Sequence, residues 1–500
     1  MKKFLIFLTI FTGLNADTTS QDCIHFGSKY FGKSFMYTRP AYQSVSMVQS
    51  FWHAITHGKK SPFLAGFQAI AFGEQSISHV KTGYYFLPAR KRVITVKGDG
   101  DDFVNNTFLE RDIRAEWLGL PSSFSGNFQI DPKQEQMGFW FEYSQDLKKF
   151  LSHSFFKYFS LNVVLPIIVE MKNNINFKED VVGNNVGCLG SCVGEIGEAL
   201  SSCDMHYSRF SMKDLNKSGV PEIRLNLVSN YHNDKGFEVS SVTGVAVPVE
   251  KKPNIDYIFA PQLGNNRHFN FIAGANFQVP FSSQDAGYLF ALFLDVESIL
   301  ALKNYEYRTF DLKNGVWTRY LLLREKDSAR TIPGVNYLTI KAKVEPFNQV
   351  DLSVGLRYVC GHFSLDSGFG YWGHGDEKIT VKDKHFRANA YGIAGDEYEV
   401  ESVKYYPSAS LSTISTVSGT DSGSGFVRDS NFTYITKDDL DLKSCAATEA
   451  ATYKFHIAAG FQGEGEQYAG FGGIGGFIET PHQNSALSKW GFWAKIGLTF

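Results

Sequence analysis

The sequence predicts an all-β chain closed into a transmembrane antiparallel barrel, and three observations carry that prediction. Its last eleven residues alternate, with Trp490, Phe492, Ala494, Ile496, Leu498 and Phe500 on one face. Gly491, Trp493, Lys495, Gly497 and Thr499 fall on the other, so the period is two, as in a strand with unlike faces. The same alternation recurs along the chain. Aromatic residues reach 15%, with 44 Phe, 24 Tyr and 46 Gly in 500 residues, a composition suited to aromatic girdles at membrane interfaces.

Residues 269–281 place Phe269, Phe271, Phe277 and Phe281 opposite Asn270, Asn276 and Gln278. Residues 350–362 place Leu352, Val354, Leu356 and Tyr358 opposite Asp351, Ser353 and Arg357. In residues 453–461, Tyr453, Phe455 and Ile457 oppose Lys454 and His456. A turn near 463–467, a strand over 469–477 and a second turn at 481–485 make the C-terminal part a three-strand meander. Upstream, residues 109–117 place Leu109, Ile113, Ala115 and Trp117 opposite Glu110, Asp112, Arg114 and Glu116. Residues 128–143 read as a hairpin closed by 131–136. Further strands are expected at 62–72, 155–171, 222–230, 237–249, 256–263, 288–302, 316–324 and 337–344. The expectation is about 14 strands, roughly 12–16, since bacterial barrels favour even numbers.

Strands of bilayer length use only part of the chain, so long extracellular loops are expected near 173–221 and 375–447. The first carries a short helical pattern near 193–200. The second includes the Ser/Thr/Gly-rich stretch 408–425, whose composition predicts a lack of fixed structure. Residues 44–55 (SVSMVQSFWHAI) space Val45, Val48, Phe51, Trp52 and Ile55 for a short amphipathic N-terminal helix. Within the segment 17–60 it serves either as a rim element or as a partial plug, and 61–500 forms the barrel.

The address agrees. Lys2 and Lys3 precede an apolar run that is too short to span a bilayer, and Ala16 offers a cleavage site, so residues 1–16 read as a signal peptide. No later stretch reaches the roughly 18 apolar residues of a transmembrane helix. Mean hydropathy is −0.18, which a barrel tolerates because its apolar residues alternate with polar ones.

This ending on Phe500, together with the signal and the alternating segments, resembles the Gram-negative outer-membrane β-barrel class. The resemblance implies that Trp490, Phe492, Ile496, Leu498 and Phe500 are read by the barrel-assembly machinery, with outer-membrane lipid around the wall. More narrowly, residues 113–121 (IRAEWLGLP), 128–139 (FQIDPKQEQMGF) and 165–174 (LPIIVEMKNN) resemble uncharacterised porin-like barrels of small-genome, host-associated bacteria. That group brings no known activity and no catalytic residue. The chain does not closely resemble the trimeric general porins. A fatty-acid-transporter type barrel fits the strand count, but its motifs are not matched.

A charged lipid-facing side chain costs about 2–4 kcal/mol near the midplane, so the polar faces are assigned to the lumen. The expected lumen residues are Glu110, Asp112, Arg114, Glu116, Asn270, Asn276, Gln278, Asp351, Ser353, Arg357, Lys454 and His456. They would either set the selectivity of a path for small polar solutes or pair into a closed polar core. A barrel-anchored surface protein, binding a host or partner protein through its loops, is the alternative. A soluble exported β-protein and an enzyme barrel are weaker readings.

Net charge of −2 gives no sign of nucleic acid as a partner. Cys188, Cys192 and Cys203 with His206 have a spacing that zinc accepts, but in an exported chain a loop disulfide is the stronger expectation. Gly368-Phe-Gly-Tyr-Trp-Gly373 fits G-x-G-x-x-G without the strand–helix context of a dinucleotide site. No nucleophile or metalloprotease motif is present, and no cofactor, metal or catalytic residue is assigned.

Overall fold

The computed structural model describes residues 38–51, 65–77, 87, 91–100, 110–149, 158–181, 194–232, 237–250, 254–282, 287–417, 432–465, 468–482 and 485–500. Twelve strands close into one antiparallel barrel. In chain order they are β1 (Ala65–Ser76), β2 (Lys133–Asp146), β3 (Phe159–Asn174) and β4 (Glu222–His232). Next come β5 (Glu238–Pro248), β6 (Asn270–Pro280), β7 (Tyr288–Ala301) and β8 (Asn348–Cys360). The last are β9 (Phe363–His374), β10 (Ala450–Glu464), β11 (Ala469–Pro481) and β12 (Lys489–Thr499). Each pairs with its chain neighbours, and β1 closes on β12, with Gly66 opposite Thr499 and Ser76 opposite Lys489. Closure removes both sheet edges. One further strand, Leu215–Gly219, adds to β3 outside the ring.

The faces follow the alternation. On β12, Trp490, Phe492, Ile496 and Leu498 are exposed on the outer wall, whereas Trp493 and Lys495 point inward and are each 1% exposed. Phe500 continues the exposed outer row, and its backbone pairs with Ala65. Leu225 and Leu227 of β4, Phe271 and Phe277 of β6, and Phe455 and Ile457 of β10 extend this exposed apolar band. One end of the barrel has short turns: β8 and β9 are joined through Gly361, whose positive φ of 57° suits a tight reversal. At the other end, the stretches 77–132, 175–221, 249–269, 302–347 and 375–449 leave the ring and return.

Those long connections fold together. Ile94, Phe124, Phe128, Phe210, Phe310, Leu321, Leu338 and Leu440 share one buried apolar cluster drawn from several of the loops. Ion pairs are embedded in it. Arg308 reaches Glu306 and Glu377, each at 3.1 Å, and donates to the Cys445 carbonyl at 2.8 Å. Arg319 grips Asp311 at 2.7 Å. Burial pushes the Glu306 carboxyl up, but the Arg308 charge and the His268 contact outweigh it and hold it below the usual range. Burial pushes the Cys445 thiol up to about 12, with Arg308 and Arg319 pulling the other way.

This loop domain accounts for the strand count, which lies two below the central expectation of about 14. Residues 113–118 are a two-residue strand and a 3-10 turn in the loop domain rather than barrel wall. Ser125–Gln129 pairs with Ile94–Lys97 and Lys178–Val181 there, so the expected hairpin over 128–143 does not form. Residues 256–263 hold no named strand. Thr318–Tyr320 is a 3-10 turn, and Leu322–Arg324 and Thr339–Glu345 pair within the loop domain. A half-buried sheet alternates whether its dry face meets lipid or a protein core, and that shared period explains the miscount. The stretch 408–425 also differs from expectation: Ala409, Ser412 and Ile414 are buried, and the rest from 418 lies outside the described residues.

The G-x-G-x-x-G stretch is wall. It falls in β9, where a Cβ on Gly368 would lie 2.5 Å from the Val354 carbonyl and 3.0 Å from His456 Nε2. These glycines permit close strand approach. The expected signal peptide, residues 1–16, lies outside the described residues, as do Trp52, Ile55, Cys188 and Cys192. Cys203 is disulfide-bonded, which removes it from any zinc set with His206.

Candidate functional site: the occupied lumen

Residues 38–51 run through the inside of the barrel. They enter at the loop end. Arg39 donates to Asp351 at 3.1 Å and to Glu479 at 2.5 Å, spanning β8 and β11. Lys489 reaches Glu74 at 2.7 Å, the Arg39 carbonyl at 3.2 Å and Gln134 at 3.3 Å. The Ala41 amide donates to Gln136 at 3.1 Å. Tyr42 packs against Trp140, and the Arg224 guanidinium lies 5.6 Å from the Tyr42 ring and 5.3 Å from the Trp140 ring.

A single-turn helix, α1 (Val45–Gln49), follows, and the wall supplies what its ends lack. Free backbone N–H groups at a helix start favour an acid, and free carbonyls at its end favour a cation. The Val45 amide donates to Asp351 at 3.3 Å. Lys495 donates to the Val48 carbonyl at 2.6 Å and the Ser50 carbonyl at 2.7 Å. Lys454 holds Ser44 at 3.0 Å. Below α1, the Phe51 ring rests on bare backbone of β10 and β11: a Cβ on Gly473 would come within 2.6 Å of it, and one on Gly460 within 3.2 Å.

The remaining lumen is polar and paired. Arg357 forms a two-pronged bridge to Asp366, both contacts 2.9 Å, and donates to Gln278 at 2.9 Å. Asn276 donates to Ser240 at 2.8 Å, and Asn270 to Glu222 at 3.4 Å. Ser353 meets His456 at 2.9 Å. Glu142 accepts from Gln68 at 2.7 Å and Asn162 at 2.6 Å. Among the described residues, both side-chain polar atoms of the buried Gln43 amide lack a hydrogen-bond partner, as does His456 Nδ1.

Eight of the expected lumen residues are thus gathered inside: Asn270, Asn276, Gln278, Asp351, Ser353, Arg357, Lys454 and His456 are all buried there. Four are not. Glu110, Asp112, Arg114 and Glu116 sit in the loop domain, where Asp112 pairs with Lys91 at 2.5 Å and Arg114 with Asp99 at 2.7 Å. Their alternation belongs to a short loop segment packed on its own core. Residues that carry the site without having been singled out are Arg39, Glu74, Glu479, Lys489 and Lys495. Lys495 could have been found, since it lies on the inner parity of the final strand. Arg39 could not, because nothing in its neighbourhood repeats.

No family model matches the chain, and no curated protein matches it significantly. Solved structures do. The COG4313 outer membrane channel from Pseudomonas putida F1 is 10% identical, with a TM-score of 0.36, over 88% of this chain and 97% of that one. The transport unit of the autotransporter AIDA-I from Escherichia coli is 8% identical, with a TM-score of 0.31, over 89% and 91%. A Pseudomonas aeruginosa FadL homologue is 9% identical, with a TM-score of 0.25, over 88% and 90%. At these similarities no function transfers from any of them.

Proposed function

We propose that this chain is an outer-membrane barrel passing small polar solutes through a gated lumen, with residues 38–51 as the gate. One observation carries the reading: the segment filling the lumen is fastened along its length by charge-assisted hydrogen bonds, Arg39 and the Val45 amide donating to Asp351 and Lys454, Lys489 and Lys495 donating to the segment, beside the apolar packing of Tyr42, Met47 and Phe51. Water can replace these polar contacts one by one, and release of the apolar side chains is then the larger cost of opening. The exposed outer band of Phe, Leu, Ile and Trp supports a lipid setting, because a lone soluble barrel would carry that surface at high cost. The short-turn and long-loop ends then face the periplasm and the exterior. In this reading the assembly machinery acts on the final strand, and no catalytic role is assigned.

The test is single-channel recording in planar bilayers. The full chain is expected to be mostly silent, and the variant lacking residues 38–51 to show long-lived open steps. A folded, heat-modifiable deletion variant that stays silent would overturn the gate. It would favour the second reading, an anchor for a folded surface domain, which the apolar core of the loops supports.

A further inference from the structure

Beyond the loop end of β7, β8 and β9, the wall continues as a small sheet of Asn304–Thr309, Thr339–Glu345 and Lys378–Thr380. Its inner face is dry: Glu306, Arg308, Ile340, Ala342, Val344 and Ile379 are buried. Its outer face is basic and aromatic. Tyr305 stands opposite Lys343, and Lys343 opposite Thr380; Tyr307 stands opposite Lys341, and Glu345 opposite Lys378. Lys382 and Lys384 follow directly and are exposed. The Lys341 and Lys382 ammonium groups lie 5.5 and 5.4 Å from the centre of the Tyr305 ring.

These cations are not spent on acids. Among the described residues, Lys341, Lys343, Lys378, Lys382 and Lys384 form no ion pair, and Asp383 between them is already taken by Lys437. Glu345 is the acid that shares the face. The field is felt by its neighbours. A hydrogen bond from Lys382 and the charges of Lys382, Lys343 and Lys384 hold the Tyr305 phenol below its ordinary range. Burial and then Lys341, Lys384 and Lys382 push the His385 imidazole down.

Height matters as much as sign. Asn304 follows Ala301, Asn348 follows Glu345, and Lys378 follows His374, each by three or four residues. That rise is about 10 Å, which reaches from the edge of the hydrocarbon into the headgroup layer. Leu300 and Leu302 are exposed on the wall next to it. We propose that this face binds phosphate-bearing lipid headgroups of the leaflet at the loop end. Separate ammonium groups spread over an open sheet match an array of phosphates fixed in a membrane plane. A single free anion would need them to converge. The inference rests on the membrane reading above.

The experiment uses the full chain in neutral detergent, titrated with bisphosphorylated lipid A and with its dephosphorylated counterpart. Binding should require the phosphates and weaken with salt. Lys343→Gln should weaken it about five-fold, and the set K341Q, K343Q, K382Q and K384Q by about twenty-five-fold or more. The single variant keeps the test decisive should the set fail to fold. Equal binding of the dephosphorylated lipid, unchanged affinity in the variants, or equally tight binding of inorganic pyrophosphate would each overturn the proposal. Insertion into neutral-lipid vesicles, followed by heat-modifiable mobility, tests the membrane reading separately. A protein that inserts but ignores lipid A phosphates refutes this inference alone.

Discussion

The lumen and the loop domain bury comparable charges in different ways. In the loop domain, Arg308 and Arg319 are locked between carboxylates and backbone carbonyls beside a continuous apolar core. In the lumen, Arg39, Lys454 and Lys495 fasten a short segment that also sets Tyr42, Met47 and Phe51 into a smaller apolar cluster with the wall, and Gln43 within that segment makes no side-chain hydrogen bond among the described residues. A charge set in an apolar core is expensive to disturb. A charge that holds one short segment has fewer contacts to give up with it. Under the proposed gating, the loop domain should persist while the lumen changes occupancy.

The largest expected effect tests the rigid side. Arg308→Met leaves Glu306 and Glu377 buried and facing each other, and should destabilise the loop domain by about 3–5 kcal/mol. Phe210→Ala, which empties a position ringed by Phe128, Phe177, Trp317 and Tyr320, should cost a similar amount, about 3–5 kcal/mol. Limited proteolysis should cut the loops of both variants while the barrel keeps its heat-modifiable mobility. If barrel and loops were lost together, the two regions would be one cooperative unit and the contrast would fail.

Arg39→Gln probes the other side. It removes the cation between Asp351 and Glu479, although Lys454 remains 3.8 Å from Glu479. A charge-assisted hydrogen bond contributes about 1.5–3 kcal/mol, so open probability in single-channel records should rise roughly ten- to hundred-fold. Unchanged gating would remove Arg39 from the latch. Gly473→Ala is subtler: the new methyl must displace the Phe51 ring, so openings should become more frequent, and Phe51→Ala in the same chain should remove the clash. If the double variant gates like Gly473→Ala alone, the nearby Ala459 carbonyl, 3.0 Å from that methyl, is the obstacle instead.

What could be read in advance divides along the same line. The barrel strands declared themselves wherever a polar face alternates with an apolar one, as in β6, β8, β10 and β12. The inward placement of Asn276, Asp351 and Lys454 follows from that period. Strand β9 hid behind its glycines, because Gly368 and Gly370 replace inward side chains that would otherwise mark the alternation. The loop domain misled for the opposite reason: Ile113 and Trp117, like Ile340 and Val344, alternate against a protein core. The amphipathic spacing of residues 44–55 announces a short helix, seen as Val45–Gln49, but does not choose between the rim and the lumen for it. Arg39 meets partners more than 300 residues away, and contacts of that separation are set by closure of the ring.

The smallest prediction concerns acid. Asp99 lies between Arg111 at 2.6 Å and Arg114 at 2.7 Å, with Glu116 accepting from its amide and Asp396 3.4 Å from Arg114. Burial pushes the Asp99 carboxyl up, but the hydrogen bonds and charges of Arg114 and Arg111 outweigh it and hold it below the usual range. A carboxyl lowered by folding stabilises in full above its unfolded value of about 3.9, and the contribution drains away as pH falls through the lowered one. The group is partly open to solvent, so the effect is modest. Hydrogen exchange of residues 94–97 and 111–118 should therefore quicken as pH drops below about 4, after correction for the intrinsic rate. Asp99→Asn should be less protected at neutral pH and should lose that acid dependence. The lumen segment should keep its full protection at neutral pH in Asp99→Asn, because none of its fastenings among the described residues runs through this cluster. A shared loss of protection would mean that the loop domain and the proposed gate are coupled.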